Sequence, residues 1–114
     1  TAALLTSSLR LGAMVADASP AKLDALTDFG RNLGLAFQVI DDILDVTQPT
    51  EKLGKTAGKD AAAEKATYPA IMGLATSVKE AQRLTTRALN ALKPFGRKAH
   101  RLDQIAHYLL DRDY

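Results

Sequence analysis

Leu33-Gly34-Leu35-Ala36-Phe37-Gln38-Val39-Ile40-Asp41-Asp42-Ile43-Leu44-Asp45-Val46 sets three carboxylates within five residues of an otherwise almost wholly apolar stretch. Acids among apolar neighbours are costly unless something positive offsets them. The stretch therefore calls for a cation beside Asp41, Asp42 and Asp45. It also calls for a fold that buries most of the segment while keeping one polar edge.

Helical spacing meets both demands. Asp17-Ala18-Ser19-Pro20 breaks a first helical pattern over Thr1 to about Val15, which carries Leu4, Leu5, Leu11 and Val15. Ser19 suits an N-cap and Pro20 the first helical position, so a long helix is predicted from about Pro20 to Val46. With Gln38 placed at zero on a helical wheel, Asp42 falls at about +40°, Asp45 at about −20° and Asp41 at about −60°. Gly34 and Arg31 extend that stripe backwards at about −40° and about +20°. The opposite half holds Phe29, Leu33, Ala36, Phe37, Val39, Ile40, Ile43 and Leu44. A helix this apolar is buried in a bundle, and its polar stripe is expected to line a cavity, with Gly34 leaving room beside it.

Pro49 ends the helix. Gln48 to about Lys65 is polar and punctuated and reads as a loop, with a short helix possible in principle over Ala61–Glu64. Thr67-Tyr68-Pro69 starts a short helix reaching about Leu74. Ser77-Val78-Lys79-Glu80 has the form of a capping box, and Val78, Ala81, Leu84, Ala88, Leu89 and Leu92 follow at helical spacing up to Pro94-Phe95-Gly96. Leu102, Ile105, Ala106, Leu109 and Leu110 give a last helix. No β alternation exceeds a few residues. The fold class is all-α, with antiparallel helices joined by short turns. Tyr68, Phe95 and Tyr108 are expected to be packing residues, and His100 and His107 surface residues rather than paired ligands.

Composition narrows the function classes. At 114 residues the chain is one domain or part of one. It begins at Thr1 without an initiator Met, already inside a helical pattern, so it is expected to be a piece of a longer protein. A net charge of +2 does not by itself indicate a nucleic-acid partner. Absence of cysteine leaves no disulfide framework or thiolate metal site and fits a reducing, cytoplasmic setting. No apolar run approaches the roughly 18 residues of a membrane span.

Asp41 and Asp45, four apart, share a face, with Asp42 beside them and Gln38 one turn earlier. All three acids lie near a helix C-terminus, where the macrodipole is already negative. Acid repels acid, dipole and apolar surroundings, and a hard divalent cation reverses that balance. Mg²⁺ takes oxygen ligands and is typically held by one or two carboxylates plus substrate phosphates. Ca²⁺ would want a loop of D-x-D-x-D-G type, and zinc would want His or Cys. The plain alternative is a solvated acidic stripe paired with lysines. Lys52, Lys55, Lys59 and Lys65, with Gly54 and Gly58, follow the acids and suggest a polyphosphate neutralised from both sides. The plain alternative there is a surface loop. Leu53-Gly54-Lys55-Thr56 is not a Walker A loop, because Pro49 stands where that motif needs glycine and a helix precedes it.

Gly34-Leu35-Ala36-Phe37-Gln38-Val39-Ile40-Asp41-Asp42-Ile43-Leu44-Asp45, followed by Leu53-Gly54-Lys55, Asp60 and Lys65-Ala66-Thr67-Tyr68-Pro69-Ala70, resembles the second aspartate-rich region of trans-prenyl diphosphate synthases. The wording around Thr67-Tyr68-Pro69 looks most like bacterial farnesyl diphosphate synthases. The resemblance spans the whole chain but only the C-terminal part, less than half, of such proteins. It implies the C-terminal helices of the isoprenoid synthase helical bundle over residues 1–114. It also implies a Mg²⁺-dependent transferase that joins an allylic diphosphate to isopentenyl diphosphate head-to-tail, and a homodimer when full-length. By position, Asp41, Asp42 and Asp45 resemble the acids that hold Mg²⁺ against the allylic diphosphate, Asp41 foremost. Gln38 resembles a glutamine contacting the allylic substrate, and Lys55 and Lys65 resemble lysines that reach its diphosphate. Thr1 matches the threonine of a Lys-Thr pair whose lysine would precede this chain. Asp41 and Lys55 are the expected catalytic groups.

The first aspartate-rich motif, the basic residues for isopentenyl diphosphate and the side chains that set product length are not in this sequence. The chain ends Asp111-Arg112-Asp113-Tyr114 rather than in the basic tail of some members. These 114 residues are therefore expected to be inactive alone. Two other classes stay open: a non-catalytic partner subunit of a prenyl synthase, which would tend to lose the acids kept here, and a helical interaction module whose acids pair with lysine.

Overall fold

A computed structural model describes residues 1–47 and 67–112. Among them the elements are helices α1 (Ala2–Val15), α2 (Pro20–Thr47), α3 (Tyr68–Met72) and α4 (Leu74–Ala91), a 3₁₀ segment (Lys93–Ala99) and helix α5 (His100–Leu110), with no strand. The predicted loop from Gln48 to Lys65, with Lys52, Lys55, Lys59 and Lys65 and the short helix over 61–64, lies outside the described residues.

Helix α2 is the spine. The Lys22 amide donates to Ser19 Oγ at 3.3 Å, so Ser19 caps the helix as its sequence position implies. Twenty-eight residues make it about 42 Å long. Its buried residues Phe29, Leu33, Ala36, Val39, Ile40, Ile43 and Leu44 are those of the predicted apolar half, joined by Ala81, Leu84, Ala88 and Leu92 of the α4 side and Ala106 and Leu110 of α5. Phe37 is partly buried against the same core. Burying a large aliphatic or aromatic side chain is worth about 1.5–3 kcal/mol, so this one seam holds the described helices together.

Helix α1 runs antiparallel to α2 along a stripe of small residues. A Cβ on Gly34 would stand 2.3 Å from Ala2 Cα, and one on Gly30 would stand 2.9 Å from Thr6 Cα. Arg10 Nη1 donates to Thr27 Oγ1 at 2.7 Å further along. Gly34 thus leaves no room beside it. Its missing side chain is filled by the α1 backbone, which corrects the expectation of a cavity there. The apolar residues that mark α1 in the sequence match its packing only at Leu5. Leu5, Leu9 and Ala13 meet the core, whereas Leu4, Leu11, Met14 and Val15 are exposed. The inner face is drawn by backbone approach and small residues, and that signal is quieter than leucine spacing.

The start of α4 differs from its sequence signature. The helix begins at Leu74, one turn before Ser77, because Gly73 takes φ +84°, a left-handed conformation open to glycine. Ser77 sits inside the helix, fully buried, and its Oγ donates to the Gly73 carbonyl at 2.8 Å. Glu80 does not return to the Ser77 amide as a capping box would require. It accepts from Arg83 Nε at 2.9 Å, and that hydrogen bond holds the Glu80 carboxyl below its ordinary value. Tyr68 and Phe95 pack against the core as expected, but Tyr108 is 84% exposed and packs against little. His100 and His107 are exposed, and His107 Nδ1 lies 2.9 Å from Oδ2 of Asp111, the residue that follows α5.

Candidate functional site

The last turns of α2 carry the acids, and the helix sorts them into three environments. Asp45 is 1% exposed and Asp42 7%, while the Asp41 side chain keeps 37% of its surface. Buried carboxylates need partners. Asp42 Oδ1 accepts from Gln38 Nε2 at 3.2 Å, and Asp42 Oδ2 accepts from the Tyr68 backbone N–H at 3.3 Å. That second bond ties the spine to the first turn of α3. Thr67, itself buried, caps the same turn by accepting from the Ala70 amide at 3.3 Å. A negative group at the positive end of a helix is stabilised there. Asp42 therefore already holds the returning chain in place, so that the segment between Thr47 and Thr67 leaves from and comes back to the acid end.

Asp41 faces the other way. Its Oδ1 lies 3.5 Å from Arg112 Nη1, just past the end of α5, and the Arg112 guanidinium lies over the Phe37 ring at 4.7 Å from the centroid. Phe37 therefore has a role beyond packing: it presents a cation to Asp41. Arg112 had no place in the sequence reading of the site. The signal was faint, a lone basic residue between two acids near the end of the chain.

The remaining expected site residues fall as follows. Gln38 is an exposed residue spent on Asp42. Thr1 is exposed at the start of α1, and its carbonyl accepts from the Leu5 amide at 3.0 Å. Because Ala2 rests on Gly34 and α1 is antiparallel to α2, Thr1 lies on the side of Ala2 toward the acid end of α2. Lys55 and Lys65 lie outside the described residues. Among the described residues, no group of three or more His, Cys, Asp or Glu side chains is arranged to hold a metal ion. The donor chemistry nonetheless suits a hard cation of the Mg²⁺ kind, which needs only one or two carboxylates when a diphosphate supplies the other oxygens. Asp41 is the most accessible of the three carboxylates, while Asp42 and Asp45 are buried.

Residues 1–108 match the family described as polyprenyl synthetase. The chain is 45% identical over 114 residues to a dimethylallyltranstransferase of Fischerella ambigua (strain UTEX 1903), covering 100% of this chain and 33% of that protein. It is 46% identical to a chloroplastic geranylgeranyl pyrophosphate synthase of Catharanthus roseus, covering 99% of this chain and 32% of the relative. Among solved structures, a Marinomonas sp. MED121 protein provisionally assigned as a farnesyl-diphosphate synthase superposes with a TM-score of 0.77 at 32% identity. That match covers 96% of this chain and 36% of the other, so the chain spans about a third of the length of the proteins it resembles.

Proposed function

The chain belongs to the polyprenyl synthetase family, and from that premise we propose that it forms the second acidic half of the catalytic site of a prenyl diphosphate synthase. In the full-length protein the reaction is the 1'-4 condensation of an allylic diphosphate with isopentenyl diphosphate. The observation that carries the reading is the partly exposed carboxylate of Asp41 beside two buried ones on the last turns of an otherwise apolar helix.

Asp41 and Asp45 would hold Mg²⁺, and Asp42 would keep the α2–α3 junction closed around it. When bound, Mg²⁺ supplies Lewis-acid stabilisation of the charge that develops on the departing diphosphate. Lys55, Lys65 and Thr1 would bind and orient diphosphate oxygens, with Lys55 adding positive charge where negative charge grows. Gln38 would contact the allylic substrate while positioning Asp42. Apolar walls of the complete site would keep water from the reacting carbon. The rest of the site would come from the remaining two thirds of the protein, so the 114 residues alone are expected to be inactive.

A C15 product is the reading that the segment around Thr67-Tyr68-Pro69 favours. The geranylgeranyl synthases among the relatives favour a C20 product as the second reading. A cytoplasmic homodimer belongs to the same proposal. The test is to incubate the full-length protein with a C5 or C10 allylic diphosphate, isopentenyl diphosphate and Mg²⁺. A farnesyl product supports the first reading, a geranylgeranyl product replaces it with the second, and no condensation refutes both.

A further inference from the structure

Arg112 sits where the proposed metal would compete with it. Its Nη1 lies 3.5 Å from Asp41 Oδ1, and its plane is set by the Phe37 ring 4.7 Å away. Two of its other nitrogens, Nε and Nη2, are buried with no hydrogen-bond partner among the described residues. A guanidinium with a whole edge of unspent donors is held in a compromise: it gains an ion pair and a ring contact and forgoes the acceptors that its remaining N–H groups need. Asp41 is likewise only half satisfied, because the pair is long and partly open to water.

We propose that Arg112 is a positioning residue of the acidic site that serves as a stand-in counter-cation for Asp41 and is exchanged for the divalent cation. The inference rests on the reading of Asp41 as a metal ligand. Arg112 Nη1 and a cation coordinated at Asp41 Oδ1 cannot both keep that oxygen. Occupation by the metal therefore frees the guanidinium, and with it the turn after α5 in which the Asp111 amide bonds to the His107 carbonyl and the Arg112 amide to the Leu110 carbonyl. By reciprocity, whatever Arg112 contributes to holding Asp41 is subtracted from the affinity for the metal. The C-terminal end of α5 and the acid end of α2 thus form one coupled unit. Before binding, Arg112 keeps the Asp41 carboxylate neutralised and oriented along the apolar seam.

The experiment is calorimetric titration of the full-length protein with Mg²⁺ in the presence of inorganic pyrophosphate, beside amide hydrogen exchange of residues 107–112. Removing the competitor in Arg112→Ala is expected to lower the half-saturating Mg²⁺ concentration about two- to fivefold, the factor that a partly exposed ion pair commands. Arg112→Lys keeps a charge without the planar stack and is expected to fall between the alanine variant and the unmodified protein. Exchange at 110–112 is expected to speed up when Mg²⁺ and pyrophosphate are added to the unmodified protein. An unchanged or raised half-saturation in both variants, or a tail that becomes more protected on binding, overturns the exchange. Binding that Asp41→Ala abolishes but Arg112 does not influence sinks only this inference. Absence of any Mg²⁺-dependent pyrophosphate binding sinks it together with the reading it rests on.

Discussion

Gly34 and Asp41 lie two turns apart on the same edge of α2, yet the two stretches of that edge do opposite things. Around Gly30 and Gly34 the edge is erased, because α1 comes so close that no side chain fits. Around Asp41, Asp42 and Asp45 the edge is all side chain, and each carboxylate has a different exposure and neighbourhood. The first stretch fixes the distance between two helices. The second presents carboxylates at different depths. A continuous stripe on a helical wheel is therefore not one surface.

The largest expected break in this contrast is Asp41→Ala in the full-length protein. Losing one group that stabilises developing charge is expected to cut kcat by about a hundredfold or more, with folding unaffected by thermal denaturation. A near-normal rate would remove Asp41 from the metal role. Next in size is Gly34→Ala. Overpacking costs about 1–3 kcal/mol and exceeds the about 1 kcal/mol gained by replacing a helical glycine, because the obstructing atom is the Ala2 backbone. A lowered unfolding midpoint is expected. Gly12→Ala is its control: nothing lies within 4 Å of a Cβ there, so the same substitution in α1 is expected to stabilise by up to about 1 kcal/mol. Equal effects at both sites would show that the close approach of α1 to α2 is not real.

Asp42→Asn sharpens the contrast inside the acid cluster. It keeps an acceptor but loses charge at the start of α3, and a loss of about 1 kcal/mol in stability is expected, with a smaller fall in rate than for Asp41→Ala. A rate loss as deep as that of Asp41→Ala would make Asp42 a ligand in its own right. The smallest effect is expected at Tyr108, whose exposed ring should tolerate Tyr108→Ser within about 0.5 kcal/mol. A larger loss, read as a clear drop in unfolding midpoint, would mean that the ring is covered in the full-length protein.

Most of the spine was legible in the sequence, since Phe29 to Leu44 repeat at helical spacing and Ser19-Pro20 mark the start. The acid cluster was legible because acids among apolar residues demand an explanation. What stayed hidden depends on contacts distant in sequence. The inner face of α1 is set by Gly30 and Gly34 of another helix, and of Leu4, Leu5, Leu11 and Val15 only Leu5 meets the core. The start of α4 is set by the positive φ of Gly73, which outweighs the Ser77–Glu80 signature. The different surroundings of Asp41 and Asp42 depend on Arg112 and Tyr68, separated from them by 71 and 26 residues. Local periodicity carries no trace of such pairings.

The most direct measurement is a crystal structure of the full-length protein grown with Mg²⁺ and inorganic pyrophosphate. The account expects a metal ion on the Asp41 carboxylate, pyrophosphate oxygens completing its shell, and Arg112 gone from Asp41. Pyrophosphate seated elsewhere, with Asp41 still against Arg112 and no metal between the acids and the anion, would contradict it.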